Sequence, residues 1–141
     1  MEVILDDRLL IEQLLVGIDR RGARLHTTAY WYYRACRAAV AGAGGHLSGP
    51  FRNLSVDEQQ RAVASMLQLP DEIGLAPARS VVPLMVSVGR RHPRLNLLNL
   101  EAVATAQLLQ ATVWLSPAGA SGILTAVLDS EGLEWETVTP T

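Results

Sequence analysis

The feature that most constrains this chain is the alternation of short, largely apolar runs with longer segments of helical spacing. Residues 2–5 and 112–115 are such runs, and the first is followed by Leu9, Leu10 and Leu14. Short apolar runs fit buried strands, whereas apolar residues three or four positions apart form one face of a helix. Strands that alternate with helices predict an α/β fold, in which helices cover both faces of a parallel sheet.

The same criteria predict five strands and six helices along the chain. The strands are residues 2–5, 23–26, 73–75, 112–115 and 133–138. The helices begin after Asp7, at Thr27 or Thr28, at Ser55, at Ser80, at Leu97 and at Ser121. Ser55 and Glu58 have the spacing of a capping box. Pro83 would lie in the first turn of the fourth helix, where proline is tolerated.

Length and composition predict one globular domain covering residues 1–141. The chain is 49% hydrophobic and 18% charged, which is far from the composition of a disordered chain. Its apolar runs are well below the roughly 18 residues of a membrane-spanning helix, so no membrane contact is expected. Glu2, Asp6 and Asp7 lie where a secretory signal carries positive charge, so we predict a cytoplasmic protein.

Four consecutive aromatic residues, Tyr30, Trp31, Tyr32 and Tyr33, open the second helix. Successive residues of a helix point about 100° apart, so the four rings cannot share one face. At least one ring is therefore expected to contact solvent, a partner or a neighbouring subunit.

Several segments near the start of the chain and in its second half match sequence motifs of a known family. Residues 99–106 read Asn-Leu-Glu-Ala-Val-Ala-Thr-Ala, and residues 113–116 read Val-Trp-Leu-Ser. This pair resembles the signature helix and strand of PIN-domain proteins, which include the VapC-like ribonuclease toxins. Residues 3–6 and 123–138 are similar to the family's first strand and to its last helix and strand. The resemblance covers nearly the whole chain and implies a three-layer α/β/α sandwich with a small central parallel sheet of four or five strands.

The chemistry of that family depends on three or four carboxylates that hold one or two Mg²⁺ or Mn²⁺ ions at the carboxyl ends of the strands. Only the first of these acids is present here. The family's four positions correspond in chain order to Asp6, to Tyr33 or Tyr32, to Asn99, and to Ser116 or Pro117. The resemblance therefore implies a pocket lined by Asp6, Tyr33, Asn99 and Ser116 that has lost most of its acidic charge, and no cofactor is expected.

Two nearby acids are candidates to replace the missing ones. Asp7 could turn toward a metal, although adjacent acids at a helix start are typical of a cap and a dipole partner. Glu101 lies two positions beyond Asn99, about 200° around the helix, and should point away from the pocket. Any metal would therefore be held by Asp6 and Asp7.

The formal net charge is −2, so any contact with nucleic acid must be local. Arginines form two groups: Arg20, Arg21 and Arg24 precede the aromatic helix, and Arg90, Arg91 and Arg94 flank His92 at the end of the fourth helix. Arginine near a helix C-terminus ordinarily stabilises the helix dipole. The alternative is that these side chains, with an exposed tyrosine ring, bind RNA or an acidic partner chain.

Other reactive residues lack the spacing of a site. His26, His46 and His92 do not have metal-ligand spacing, and Cys36 lies among residues typical of helix packing. The glycine-rich segment 41–50 predicts a loop without the Lys and hydroxyl of a phosphate-binding loop. Ser48, Ser116 and Ser121 are not in a nucleophile-elbow pattern.

Three functions remain open. The favoured one is a catalytically degenerate PIN-like domain that acts as an interaction or regulatory module. Its partner would be a second copy in a dimer, a small antitoxin-like or regulatory protein, or RNA, because PIN domains commonly dimerise and the toxins bind antitoxin peptides. The alternatives are a weak Mg- or Mn-dependent ribonuclease of the VapC type and a protein that binds a small ligand in the former pocket.

Overall fold

The computed structural model describes residues 1–41, 49–51 and 54–140. Its strands are β1 (Glu2–Leu5), β2 (Arg24–Thr27), β3 (Gly74–Leu75), β4 (Thr112–Leu115) and β5 (Trp135–Thr137). Its helices are α1 (Asp7–Leu15), α2 (Ala29–Ala41), α3 (Val56–Leu67), α4 (Ala78–Arg91), α5 (Leu97–Leu109) and α6 (Leu124–Ser130). Short 3₁₀ helices span Gly49–Phe51 and Gly119–Ser121. Most of the glycine-rich segment, with His46 and Ser48, lies outside the described residues.

The strands form one parallel sheet in the order β3-β2-β1-β4-β5. Alternate residues of β1 face opposite sides of the sheet, so Val3 and Leu5 enter one core and Ile4 enters another. The first core contains side chains of α1, α2 and α3, and the second contains side chains of α4, α5 and α6. Helices on both faces of a parallel sheet give the three-layer α/β/α sandwich that the sequence predicted.

Two predicted helix starts are wrong. Ser80 does not cap α4, because Pro77 is the N-cap and its carbonyl oxygen already accepts hydrogen bonds from the N–H groups of Ser80 and Val81. Pro83 consequently lies in the sixth helical position rather than in the first turn. Ser121 ends a 3₁₀ helix, and the extended backbone of Gly122 separates it from α6.

The aromatic run at the start of α2 is divided between the core and the surface, as the sequence predicted. Trp31 is 4% exposed, whereas Tyr30 and Tyr33 are 42% and 59% exposed. The two exposed rings pack edge to face, with centroids 6.4 Å apart. The Tyr32 hydroxyl donates a hydrogen bond to the Met66 carbonyl at 2.8 Å, which ties α2 to α3.

Glu131, directly after α6, joins three helices of the second core. Its carboxylate accepts hydrogen bonds from Arg91 at 2.6 and 3.1 Å and from Gln107 at 2.6 Å, and His92 Nε2 lies 3.0 Å away. The side chain is only 10% exposed. The hydrogen bonds from Arg91 are the largest of several effects that lower the pKa of Glu131 from 4.5 to about 2.

Gly74 allows β3 to lie against β2 at a point where a side chain would not fit. Gly74 pairs with His26 in the sheet, and a Cβ at position 74 would overlap the imidazole ring. That ring is held in place, because its Nε2 lies 3.3 Å from a carboxylate oxygen of Glu2.

Among the described residues, no helix is long and apolar enough to cross a bilayer.

We expect Glu131→Gln to be less stable than the native protein by about 1–2 kcal/mol at pH 7. Because the pKa is lower in the folded chain, the contribution of Glu131 is complete above pH 4.5 and is lost as the pH falls toward about 2. The variant should therefore show a shallower loss of stability over that range in urea unfolding. Glu72→Gln, whose side chain is 59% exposed, is the control. If the free energy of unfolding falls equally with decreasing pH in Glu131→Gln and in the native protein, this role of Glu131 is contradicted.

Gly74→Ala should destabilise the fold by about 1–3 kcal/mol, because the imidazole of His26 must leave its position. The matched control is Gly89→Ala in α4, where the new Cβ would lie 3.6 Å from Leu100, which is an ordinary contact. Alanine is favoured over glycine in a helix by about 1 kcal/mol, so the control should be neutral or stabilising. Chemical denaturation measures both variants, and equal effects would argue against the close packing of the two strands.

Candidate functional site

A cleft lies at the carboxyl ends of β1 and β4, where the strand order reverses direction. In parallel α/β sheets this is the usual position of a binding site. The cleft has a volume of about 140 Å³. Its lining includes Asp6, Asp7, Trp31, Arg34, Asn99 and Gly119.

Asp6 follows β1 directly and is the N-cap of α1. Its Oδ1 accepts a hydrogen bond from the Leu9 N–H at 2.9 Å. Its Oδ2 accepts two more, from the backbone N–H and the hydroxyl of Ser116, each at 2.8 Å. The residue is 1% exposed. Both carboxylate oxygens are therefore bonded within the protein, and they fasten the end of β1 to the residue after β4.

Gly119 closes the cleft beside this carboxylate. Its N–H donates a hydrogen bond to the Ser116 Oγ at 3.2 Å, and a Cβ at position 119 would overlap the Oδ2 of Asp6. The Ser116 hydroxyl thus accepts one hydrogen bond and donates another. Only glycine permits the backbone to approach so closely.

Burial raises the pKa of the Asp6 carboxyl above its ordinary value. The neighbouring Asp7 carboxylate also raises this pKa, and the hydrogen bonds from Leu9 and Ser116 oppose the shift. The direction shows that removal from water outweighs the local hydrogen bonds.

Asp7, the first residue of α1, forms the second acidic wall of the cleft. It is 4% exposed, and its Oδ2 lies 3.0 Å from the Nε of Arg34 on α2. Arginine remains charged at all ordinary pH values, so the guanidinium is a permanent cation beside the two acids. The ion pair joins α1 to α2 and offsets one of the two negative charges.

The structure brings Asn99 and Ser116 to Asp6 but leaves Tyr33 outside the cleft. Asn99 lies in the first turn of α5 and lines the cleft, and Ser116 is buried beside Asp6. Tyr33 is two residues from Trp31 and so points about 200° away from it, toward solvent. Arg34, three residues from Trp31, occupies the wall where Tyr33 was predicted.

Glu101 does not contribute to the cleft, as its position on the helix predicted. Its carboxylate accepts hydrogen bonds from the N–H groups of Ala29 at 3.3 Å and Tyr30 at 2.8 Å. The Thr28 hydroxyl accepts another, from Trp31 at 3.0 Å, so the side-chain cap of α2 is Thr28 and not Thr27. Glu101 thus stabilises the N-terminus of α2 from the neighbouring helix α5.

The donor groups of the cleft do not fit a Mg²⁺ or Mn²⁺ centre. Such cations need oxygen ligands, usually one or two carboxylates that are available to the ion together with water or phosphate oxygens. Here the oxygens of Asp6 accept three hydrogen bonds, Asp7 is paired with Arg34, and Asn99 supplies a neutral amide. In the part of the chain that the structure describes, no three His, Cys, Asp or Glu residues are grouped as a metal site.

Four of the six arginines proposed to bind RNA or a partner have carboxylate partners of their own. The pairs are Arg20 with Glu72 at 3.6 Å, Arg21 with Glu136 at 2.7 Å, Arg24 with Glu2 at 3.4 Å and Arg91 with Glu131 at 2.6 Å. The guanidinium of Arg21 also lies 4.4 Å above the Trp114 ring. For Arg90 and Arg94, no carboxylate partner is found among the described residues.

Sequence reasoning missed Arg34 and Gly119. The family's pattern consists of acids at four positions, and Arg34 is neither an acid nor at one of those positions. The spacing of Trp31 and Arg34 indicates only a shared helix face. The contact of Gly119 with Asp6 joins residues far apart in the chain, so no local pattern predicts it.

Asp6→Asn should destabilise the protein by about 1–3 kcal/mol, because one side of the amide cannot accept the buried N–H of Ser116. Asp57→Asn is the matched control, since Asp57 also lies in the first turn of a helix but is exposed. Thermal and urea unfolding at pH 7 compare the two variants. Equal stability of Asp6→Asn and the native protein, or a stabilising effect, would show that the hydrogen bonds from Leu9 and Ser116 contribute less than the cost of the buried charge.

The comparisons with known proteins found similarity in structure and none in sequence. No family model matches the sequence, and the comparison with curated proteins gives no match. A chain of VapBC-1 from nontypeable Haemophilus influenzae is similar in structure, with a TM-score of 0.57 and 12% sequence identity. The similarity covers 97% of this chain and 98% of that chain. At this identity the likeness concerns the fold alone, and it agrees with the PIN-like sandwich.

Proposed function

We propose that this protein is a catalytically degenerate PIN-like domain of the toxin–antitoxin type that acts as an interaction or regulatory module. The main observation in support is that both acids of the cleft, Asp6 and Asp7, are bound to other groups of the protein. Asp6 accepts three hydrogen bonds from the protein, and Asp7 pairs with Arg34 at 3.0 Å. The end-to-end likeness to a chain of VapBC-1 supports the toxin–antitoxin relationship.

The electrostatics of the cleft weigh against the ribonuclease alternative. A divalent cation would have to displace the Arg34 guanidinium and the hydrogen bonds that join Asp6 to Ser116. It would gain at most two carboxylates and the Asn99 amide in return. Mg²⁺ is usually bound through one or two carboxylates together with water, so the engagement of both acids within the protein weighs against this exchange. A weak Mg- or Mn-dependent ribonuclease therefore stays the alternative.

The size of the cleft weighs against the small-ligand alternative. Its volume of about 140 Å³ is below the roughly 300–1,000 Å³ of sites that enclose drug-sized ligands. Tyr33, one of the four residues proposed to line such a site, faces solvent instead.

A protein partner is favoured over RNA because most of the predicted phosphate-binding arginines are already engaged. Arg20, Arg21, Arg24 and Arg91 pair with carboxylates, and the net charge of the chain is −2. The partner would be an antitoxin-like or regulatory protein, or a second copy of this chain. The cytoplasmic location stays a prediction from the sequence.

Calorimetric titration with Mn²⁺ and an RNA cleavage assay test the proposal. The native protein should show neither Mn²⁺ binding nor metal-dependent cleavage. Arg34→Gln should bind Mn²⁺ more tightly than the native protein, because it removes the cation that pairs with Asp7. Arg37→Gln, one turn further along α2 and exposed, is the control and should behave as the native protein does.

The proposal is wrong if the native protein binds Mn²⁺ and cleaves RNA, and if cleavage is lost in Asp7→Asn. Circular dichroism of each variant separates loss of activity from loss of fold.

A further inference from the structure

Helix α4 is apolar on two opposite faces, although only one of them is covered by the described residues. Val81 and Val88 are 3% and 0% exposed and form its buried face, with Val88 packed in the second core beside α5 and α6. The opposite face carries Val82, Pro83 and Val86. Val82 and Val86 are 52% and 61% exposed, and Pro83 is also exposed.

These three residues form one continuous stripe with two arginines. Positions 79, 82, 83, 86 and 90 fall within about 100° of the helix circumference, because three- and four-residue steps return to the same side. We call Arg79, Val82, Pro83, Val86 and Arg90 the α4 stripe. An amphipathic surface helix normally has polar residues on the side that faces water.

The α4 stripe is unfavourable for an isolated surface helix. Valine has a lower helix propensity than Arg, Lys, Gln or Glu, because its branched side chain is restricted beside the preceding turn. Pro83 has no N–H, so the Arg79 carbonyl oxygen lacks its usual intrahelical donor. None of the described residues buries the stripe, so its apolar side chains gain no stabilisation from packing within this chain. An exposed apolar patch of this kind is typical of a surface that a partner covers.

The charges on α4 indicate what kind of partner fits. The helix contains no acidic residue, and its basic residues are Arg79, Arg90 and Arg91. Arg91 is held by Glu131, whereas no carboxylate of the described residues pairs with Arg79 or Arg90. The two unpaired arginines lie eleven residues apart, or about 16 Å along the helix, with the apolar residues between them.

We propose that the α4 stripe binds an acidic amphipathic helix of a partner protein. The apolar face of that helix would cover Val82, Pro83 and Val86, and acidic residues about three turns apart would pair with Arg79 and Arg90. This inference rests on the proposed interaction function and specifies its partner.

A second copy of the chain is a poor occupant of the same stripe. In a two-fold contact the same surface meets itself. An antiparallel pair of α4 helices would place Arg79 of one copy against Arg90 of the other, and a parallel pair would place like residues together. In both arrangements α4 itself offers no acidic residue to pair with Arg79 or Arg90.

Two synthetic helical peptides of about five turns test the proposal. One carries leucines on a single face with glutamates about three turns apart, and the other has lysines in place of the glutamates. Fluorescence anisotropy should show that the acidic peptide binds the native protein about tenfold or more tightly than the basic one. Val86→Asp should abolish this binding. Ser87→Asp is the control, because Ser87 is exposed on the same helix but lies outside the stripe.

Reversal of the two charges gives a positive test. The double variant Arg79→Glu and Arg90→Glu should prefer the basic peptide, which a merely unfolded helix would not do. Equal binding of both peptides, no binding of the acidic peptide, or equal effects of Val86→Asp and Ser87→Asp would overturn the inference. A native dimer that dissociates in Val86→Asp would also overturn it, in favour of a second copy.

The two proposals fail separately. If the peptides do not bind while Mn²⁺ binding and RNA cleavage stay absent, only the acidic partner is excluded. Metal binding with cleavage would instead overturn the degenerate function, whatever the peptides do.

Discussion

The hydrogen bonding of Asp6 is the interaction on which the rest of the site depends. One oxygen caps α1, and the other accepts two hydrogen bonds from Ser116, the residue that follows the neighbouring strand β4. A single buried carboxylate therefore holds together the end of β1, the start of α1 and the turn after β4. The close approach of Gly119 to the same oxygen leaves no room for a further ligand on that side. A group with this structural role is poorly suited to release its oxygens to a metal ion.

The guanidinium of Arg34 is the second feature that determines the electrostatics of the cleft. It lies beside Asp7, where the resemblance to PIN-domain proteins implies a metal ion surrounded by acids. An arginine on α2 therefore neutralises part of the negative charge of the cleft, and Asn99 adds only a neutral amide to its lining. The fold is retained because the two cores depend on apolar side chains above and below the sheet, and not on the charge of the cleft.

Outside the cleft, α4 is the described element whose composition is least explained by its own fold. Its buried Val88 packs in the second core, while Val82 and Val86 lie in solvent between Arg79 and Arg90, which have no carboxylate partner among the described residues. The apolar face and the charge pattern belong to the same helix, so one partner helix can satisfy both. The internal pairing of the cleft acids and the α4 stripe both agree with the proposed interaction function.

The sequence by itself determined the order of strands and helices, because apolar periodicity and turn residues are local properties of the chain. It predicted β1 and β4 to the residue, the capping box at Ser55, and the division of the aromatic run between core and surface. The resemblance to PIN-domain proteins implied a pocket of Asp6, Tyr33, Asn99 and Ser116, and Tyr33 lies outside the cleft. Only the tertiary structure decided that Asp6 is bonded to Ser116, that Arg34 rather than Tyr33 faces the cleft, and that Glu101 caps α2. These contacts join residues on different elements, and their geometry depends on how helices and strands pack rather than on spacing along the chain.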